Sequence, residues 1–426
     1  MKTVIIGTGY VGLVSGTCFA ELGANVTCLD IDKTKIDRLK KGIIPIFENN
    51  LESLVKKNFK KGRLKFSADI NKEIKTADLI FLAVGTPSAR DGSADLTYIY
   101  EAAAGIAKNA KNGVVVVTKS TVPVGTNDKI RDKIQKVNPK LKFKIASNPE
   151  FLREGNAVHD FMNPDRVVIG APDAQTFEKV AALYRPIKGV KVLHTDIRTA
   201  EMIKYAANAY LAMRVSFINE VADICESVGA NVEKVSEGMG LDGRIGPKFL
   251  KVGPGFGGSC FPKDTKAFQK IAKDAKAPTK IISSVIDAND SRKINMAKKI
   301  IKAAGSVKGK NIGVLGIAFK ANTDDIRDSS ALVIIEQLLK AGAKVFVYDP
   351  EAAENAKKYF GKVNNLKFCS STKEVVKSCA IISVVTEWPE FKKLDLASLK
   401  GKTLVDLRNL YDPSTMKGIK YISLGR

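Results

Sequence analysis

A chain of 426 residues with 45% hydrophobic and 27% charged residues has enough apolar material for two or three domains with ample core. No apolar run approaches the roughly 18 residues that span a bilayer, and Gly7, Gly9 and Gly12 interrupt the one start that mimics a signal peptide, so a cytosolic protein is expected. The net charge of +24 invites a nucleic-acid reading. The lysines are nevertheless scattered along the chain on helix surfaces, without a basic tail or an aromatic-basic stripe, and fit a solvated surface that helps collect anionic ligands.

Six cysteines without a CxxC pair fit neither a disulfide framework nor a zinc site, and no metal is expected. Cys18, Cys28 and Cys225 fall on apolar faces or strands and read as core. With His159 and His194 the only histidines, proton transfer falls mainly to Lys, Asp, Glu or bound water.

In chain order, an apolar strand runs straight into Gly7-x-Gly9-x-x-Gly12, a helical pattern follows, and a second strand, Val26 to Leu29, ends at Asp30. This is the dinucleotide fingerprint in its required context, with an acidic residue about 20 positions on. The pyrophosphate rests on the helix N-terminus, and Asp30 accepts from a ribose diol and repels a 2′-phosphate. NAD is therefore preferred to NADP, and FAD ranks third; the alternative is a tight strand-helix turn with no ligand.

Further strands are expected at Leu79 to Val84, Val114 to Thr118, Phe143 to Ala146 and Arg166 to Ile169. Three of them run into Gly85-Thr86-Pro87, Ser120-Thr121-Val122-Pro123 and Asn148-Pro149-Glu150. Ligands of open α/β sheets bind at the carboxyl ends of strands, so these motifs point to one crevice; read singly, each is ordinary turn chemistry.

From Thr199 to Val228 the spacing of Met202, Ala206, Ala209, Met213 and Phe217 predicts one long helix. Lys204 and Asn208 lie four apart and share a face. Together they would hold or polarise a substrate oxygen, yet exposed polar residues at this spacing are common, and on the pair alone the plainer reading is preferred.

The segment 253–264, GPGFGGSCFPKD, sets Cys260 among four glycines. Pro262 can open a helix, and a thiol at that helix's start with Lys263 beside it has a lowered pKa and the character of a nucleophile. The alternative is a glycine turn holding a small buried cysteine. The last third repeats the opening: NIGVLGIAF enters a glycine turn, SSALVIIEQLLKAG is helical, and AKVFVYDP ends in Asp349. Strands near Ile381 to Val385, Thr403 to Val405 and Tyr421 to Ile422 complete a second Rossmann-like unit. The expected class is α/β: two doubly wound domains, 1–196 and 306–426, joined through a long central helix and a helical region, 197–305, with the site in the crevice between the two α/β domains.

GTGYVG, VGTP, STVPVGT, NPEFLREG, EMIKYAANAYLAMRVSFINE, GFGGSCFPKD and AFKANTDDIRDS together resemble the nucleotide-sugar dehydrogenases, across essentially the whole chain and in the family's order. The resemblance implies an NAD-dependent four-electron oxidation, UDP-glucose with two NAD and water giving UDP-glucuronate and two NADH. It makes Cys260 the nucleophile that forms a thiohemiacetal and then a thioester. Asp264, with Thr121 and Glu150, activates or positions water, and Lys204 and Asn208 stabilise the alkoxide-like oxygen. For the cofactor it implies Gly7, Gly9, Tyr10, Val11, Gly12, Asp30, Lys35, Gly85, Thr86, Thr121, Glu154, Lys263 and Arg327. For the sugar nucleotide it implies Phe151, Leu152, Arg153, Glu154, Lys204, Asn208, Phe249, Lys251, Gly257, Phe319, Lys320 and Arg408, with Arg244 reaching the neighbouring subunit of a homodimer. The first domain then holds NAD, the middle one dimerises, and the last holds the UDP-sugar. Alternatives are a sibling acting on GDP-mannose or a UDP-N-acetylhexosamine, or a two-electron hydroxyacid dehydrogenase.

Overall fold

Strands covered on both faces must be apolar throughout, and the chain's uniformly apolar runs become the centres of two sheets. The structure is a computed structural model describing residues 1–426, and it divides into two units, 1–207 and 208–426. In the first unit the strands are β1 (Lys2–Ile6), β2 (Asn25–Leu29), β3 (Leu64–Ser67), β4 (Leu79–Leu82), β5 (Val114–Thr118), β6 (Phe143–Ser147), β7 (Val167–Gly170) and β8 (Val192–Thr195). They form one sheet in the order β3-β2-β1-β4-β5-β6-β7-β8, parallel except where β6 meets β7. Every residue of β4 and β5 is buried. The order reverses direction between β1 and β4, and such a switch point opens a crevice at the strands' carboxyl ends.

The second unit repeats the plan. Its strands are β9 (Asn311–Leu315), β10 (Lys344–Tyr348), β11 (Leu366–Phe368), β12 (Ile381–Val384), β13 (Thr403–Asp406) and β14 (Lys420–Ile422), all parallel in the order β11-β10-β9-β12-β13-β14. Its core gathers Ile312, Val314, Ile335, Leu338, Val345 and Ile382 around the sheet. In the first unit Phe19 is fully buried, with ring centroids 5.0 to 5.4 Å from Phe161, Tyr184 and Phe81. One such side chain contributes about 1.5–3 kcal/mol by burial.

The expected strands form, with edges shifted. β4 stops at Leu82, two residues before Val84, because the chain there turns into the Gly85 loop; Arg166 lies before β7 and Val385 after β12. Cys18, Cys28 and Cys225 are buried as expected. No helix is long and apolar enough to cross a membrane.

The long helix runs from Ile197 to Val228, but its buried face is not the stripe that the apolar spacing marked. Met202 is 37% and Phe217 48% exposed, whereas Lys204 is 3% and Asn208 6% exposed. The reading of Lys204 and Asn208 as exposed polar residues is therefore corrected. Each is buried against a partner that offsets its desolvation.

Candidate active site

The turn after β1 excludes side chains at two of its glycines. A Cβ on Gly7, which sits at φ +104°, would lie 2.5 Å from the Ala83 carbonyl oxygen, and one on Gly12 would lie 2.0 Å from that of Gly7. At Gly9, by contrast, no heavy atom lies within 4 Å of the Cβ position. Gly9 caps the helix Tyr10–Glu21, and no side chain bonds to that end. The first-turn N–H groups at Tyr10, Val11 and Gly12 thus suit an anion.

At the end of β2, Asp30 accepts from the Thr8 N–H at 3.0 Å and its hydroxyl at 2.6 Å, and pairs with Lys35 at 3.1 Å. Burial pushes its carboxyl upward, but Thr8, the Asp32 N–H and Lys35 together hold it below the ordinary range. It stays an anion, as a ribose-diol acceptor must. These residues fit NAD: Gly9 and the first-turn amides for the pyrophosphate, Asp30 for the ribose.

The loops after β4 and β5 are tied together. The Thr86 hydroxyl donates to the Thr121 carbonyl at 3.0 Å, and that of Ser120 donates to the Val84 carbonyl at 2.6 Å. Gly85 has open space at its Cβ position.

After β6, Glu150 is buried and pairs with Lys204 Nζ at 3.0 Å, while its other oxygen accepts from the Leu152 N–H at 2.6 Å. Burial alone would raise its carboxyl, yet Lys204, the Leu152 N–H and Lys119 bring it below the ordinary range. Phe151 lies under two cations, with the Arg166 guanidinium 3.5 Å and Lys204 Nζ 5.3 Å from its ring centroid. Arg153 turns away to a bidentate pair with Asp160. The charge of Glu154 acts on the Tyr10 hydroxyl.

Three buried charged residues of this unit escaped the sequence reading. Lys119 donates to the Asn148 carbonyl and side-chain oxygens at 3.3 and 3.1 Å and lies 3.2 Å from the Tyr184 hydroxyl; burial brings its ammonium down to about 8. Glu201 accepts from the N–H groups of Gly125 and Asn127 at 2.6 and 3.0 Å and so fixes the start of the helix Thr126–Val137. Glu48 anchors the chain around Gly155. For Lys119, a signal was present: a charge set directly after the strand VVVVT, whose first four residues are valines.

In the second unit, Cys260 is the N-cap of the helix Phe261–Asp274, with Pro262 in its first turn. Of the six cysteines only Cys260 is not buried. Its carbonyl accepts the Asp264 N–H at 2.8 Å, one helical turn on. Asp264 is 1% exposed; it accepts from Asn208 Nδ2 at 2.6 Å and from Lys263 Nζ at 2.5 Å. Lys263, expected beside the thiol, thus gives its charge to Asp264, because a carboxylate buried this deeply needs a cation.

The glycine loop before Cys260 is clamped from several sides. Asn289 bonds both the N–H and carbonyl of Phe256, Arg292 donates to the Gly253 carbonyl, and the Gly258 N–H donates to the Arg327 carbonyl at 2.7 Å. A Cβ on Gly257 would lie 2.4 Å from the Asp328 carbonyl oxygen, so only glycine allows this approach.

Arg408 is half-buried and donates to the Val385 carbonyl at 2.8 Å; Gly253 lies against its guanidinium. Lys251 pairs with Glu387, whose carboxylate also acts on Arg408. Lys320 lies 5.4 Å from the centroid of the Phe319 ring. Phe249 adopts φ +62°, a costly backbone for an aromatic residue, with its ring 6.1 Å from that of Phe261. Arg327 pairs with Asp325 at 2.6 Å. Arg244 stands apart, almost fully exposed and paired with Asp242 at 2.6 Å.

Residues 1–188 match the NAD binding domain of the UDP-glucose/GDP-mannose dehydrogenase family, 198–291 its central domain and 313–413 its UDP binding domain. The chain is 50% identical over 438 residues to a UDP-glucose 6-dehydrogenase of Rhizobium meliloti, covering 100% of both. It is 47% identical to the UDP-glucose 6-dehydrogenase TuaD of Bacillus subtilis, covering 100% of this chain and 93% of that one. Among solved structures, a UDP-glucose dehydrogenase from Pyrobaculum islandicum is 36% identical with a TM-score of 0.93, covering 99% of this chain and 96% of that one.

Proposed function

The chain belongs to the UDP-glucose/GDP-mannose dehydrogenase family and is an NAD-dependent oxidoreductase, and we propose that it oxidises UDP-glucose twice at its primary alcohol to give UDP-glucuronate. The observation that carries the reading is Cys260: the one cysteine that is not buried, at a helix N-terminus, one turn from a buried Asp264 already bonded to Asn208. NAD, when bound, supplies the hydride acceptor. In this reading the Cys260 sulfur adds to the aldehyde carbon and the carbonyl oxygen takes a proton. After the second oxidation a thioester remains, and water cleaves its C–S bond, giving the acid its second oxygen and returning the thiol.

Lys204, held by Glu150, and Asn208, held by Asp264, stabilise negative charge on the reacting oxygen. Thr121, Glu150 and Asp264 position the water. Lys320 and Arg408 hold the UDP, Lys251, Phe249 and Gly257 shape the same pocket with Phe319 beside them, and Phe151 to Glu154 line the sugar-nucleotide crevice. Gly85, Thr86, Lys263 and Arg327 complete the cofactor site. Six cysteines, none in a disulfide, and the use of NAD accord with the cytoplasm.

The test is stoichiometry. With excess NAD and limiting UDP-glucose, the reaction followed by absorbance runs to two NADH per sugar. One per sugar would mean a two-electron enzyme; none would redirect the assignment to GDP-mannose or a UDP-N-acetylhexosamine.

The reading extends to a homodimer in which Arg244 reaches the neighbouring site. It is supported by an exposed apolar stripe on the long helix: Tyr210 is 53%, Phe217 48%, Ile224 60% and Val228 70% exposed, more than a solvated helix face normally presents. Phe217→Asp should convert a dimer to a monomer in size-exclusion chromatography with light scattering. A native chain that already elutes as a monomer at micromolar concentration would dismiss the dimer.

A further inference from the structure

Glu48 lies in the long connection between β2 and β3, its carboxylate far in sequence from everything it touches, and it is 9% exposed. Its Oε2 lies 2.6 Å from the Tyr10 hydroxyl, which donates to it, and accepts the Gly155 N–H at 2.8 Å. Its Oε1 accepts the Ala157 N–H at 2.7 Å and the Val158 N–H at 3.5 Å. The Tyr10 oxygen itself accepts from the Gly155 N–H at 2.9 Å, and Asn49 Nδ2 donates to the Gly155 carbonyl at 2.9 Å. One buried carboxylate thus satisfies the start of the helix Ala157–Met162 while gripping the first residue of the helix Tyr10–Glu21.

The two gripped segments differ in purpose. Tyr10 belongs to the glycine fingerprint, whose first-turn amides suit the dinucleotide pyrophosphate. Gly155 ends the Phe151-Leu152-Arg153-Glu154 segment, which begins next to Glu150 and its partner Lys204. Gly155 is at φ +77°, so this short segment turns sharply just where Glu48 holds it. Burial and the Glu48 carboxylate both push the Tyr10 hydroxyl upward, which keeps it a donor.

We propose that Glu48 is a positioning residue that, through the Tyr10 hydroxyl, couples occupancy of the dinucleotide turn to the placement of residues 151–158. That this segment borders the sugar rests on the function proposed above; the coupling itself requires only NAD binding. Since coupling free energies are reciprocal, a sugar nucleotide held by 151–158 in turn favours NAD. A tie that merely stabilises the fold would hold 155–158 equally well with the turn empty or filled. A coupling tie makes the protection of those amides respond to cofactor.

The experiment is hydrogen–deuterium exchange of peptides spanning 153–162 in the full chain, with and without NADH at a concentration verified as saturating by its fluorescence for each variant. In the native chain NADH should slow exchange by about fivefold or more, the lower range of measured couplings. Tyr10→Phe removes only the hydroxyl. It should retain protection of Ala157 and Val158 without NADH, but reduce the NADH effect below about twofold. Glu48→Gln sets an amide donor against the Gly155 N–H or the Tyr10 hydroxyl; it should speed exchange without NADH and also lose the response. Exchange in the native chain that ignores NADH, or a Tyr10→Phe variant with the full native response, would overturn the proposal. Turnover of UDP-glucose on the same preparation is a separate readout: its absence alongside an intact NADH response counts against the assigned substrate and leaves the coupling standing.

Discussion

Cys260→Ala should make essentially no UDP-glucuronate from UDP-glucose, with a loss of at least about a thousandfold, the scale on which removing a covalent nucleophile acts. Cys260→Ser should do no better, because a serine hydroxyl is a far weaker nucleophile than a thiol near neutral pH unless an adjacent base takes its proton. Both variants should fold. Cys260 is partly exposed, its carbonyl rather than its sulfur takes the Asp264 N–H, and the loop's clamps come from Asn289, Arg292 and Arg327. The decisive measurement is made with the UDP-sugar aldehyde and NADH. The variants should still reduce the aldehyde to the alcohol, since that step needs no sulfur, while the same aldehyde with NAD yields no acid. A Cys260→Ala protein that still releases two NADH per UDP-glucose would remove the thioester from the mechanism and leave hydration of a free aldehyde as the route.

The parts of this site that were legible in the sequence are those whose chemistry is local. Gly7, Gly9, Gly12 and Asp30 lie in one strand-helix-strand unit. Gly7 and Gly12 lie where a Cβ would clash, Gly9 where the Cβ position is open, and Asp30 directly after a strand's end. Cys260 and Asp264 are one turn apart at the start of one helix; glycine spacing and Pro262 left Cys260 evenly balanced between a nucleophile and a buried cysteine, and the part given to Asp264 came from the family resemblance. Glu48 was not legible, because its carboxylate's partners lie 38 and 107 to 110 residues away and nothing in PIFENNLE indicates a buried carboxylate. The same distance problem inverted the reading of the long helix. Apolar spacing chose the face carrying Met202 and Phe217, whereas the face that packs carries Glu201, Lys204 and Asn208. Each of these three meets a partner supplied by a distant loop or helix: the Gly125 and Asn127 amides, Glu150, and Asp264. The packed face also carries Ala200, Tyr205, Ala209, Ala212 and Ile218, but mostly small apolar residues interleaved with Glu201, Lys204 and Asn208 give a weaker apolar period than the large side chains of Met202, Met213 and Phe217.

That buried pairing makes Lys204 the residue whose loss should cost both turnover and fold. Its side chain is 4% and that of Glu150 7% exposed. Lys204→Met should therefore leave a desolvated carboxylate with only the Leu152 N–H and the more distant Lys119 ammonium, and destabilise the protein by about 3–5 kcal/mol. Turnover should also fall by about a hundred- to a thousandfold, because in the proposed mechanism this ammonium stabilises the negative charge that develops on the reacting oxygen. The double variant Lys204→Met/Glu150→Gln separates these effects: it removes the stranded charge, so most of the stability returns while turnover does not. The pH dependence gives an independent check. In the native chain the Glu150 carboxyl lies below its ordinary value of 4.5, so its contribution to stability is complete above about pH 4.5 and is lost as pH falls through the lower folded value. In Lys204→Met, burial dominates and the folded value rises above 4.5, reversing the sign; the carboxyl then opposes folding at neutral pH and ceases to do so once protonated. The gap in urea midpoint between native and Lys204→Met protein should accordingly narrow as pH is lowered from 7 toward 5. A gap that stays constant across this range, or a double variant that regains turnover, would show that the Lys204–Glu150 pair is not the electrostatic centre of the site.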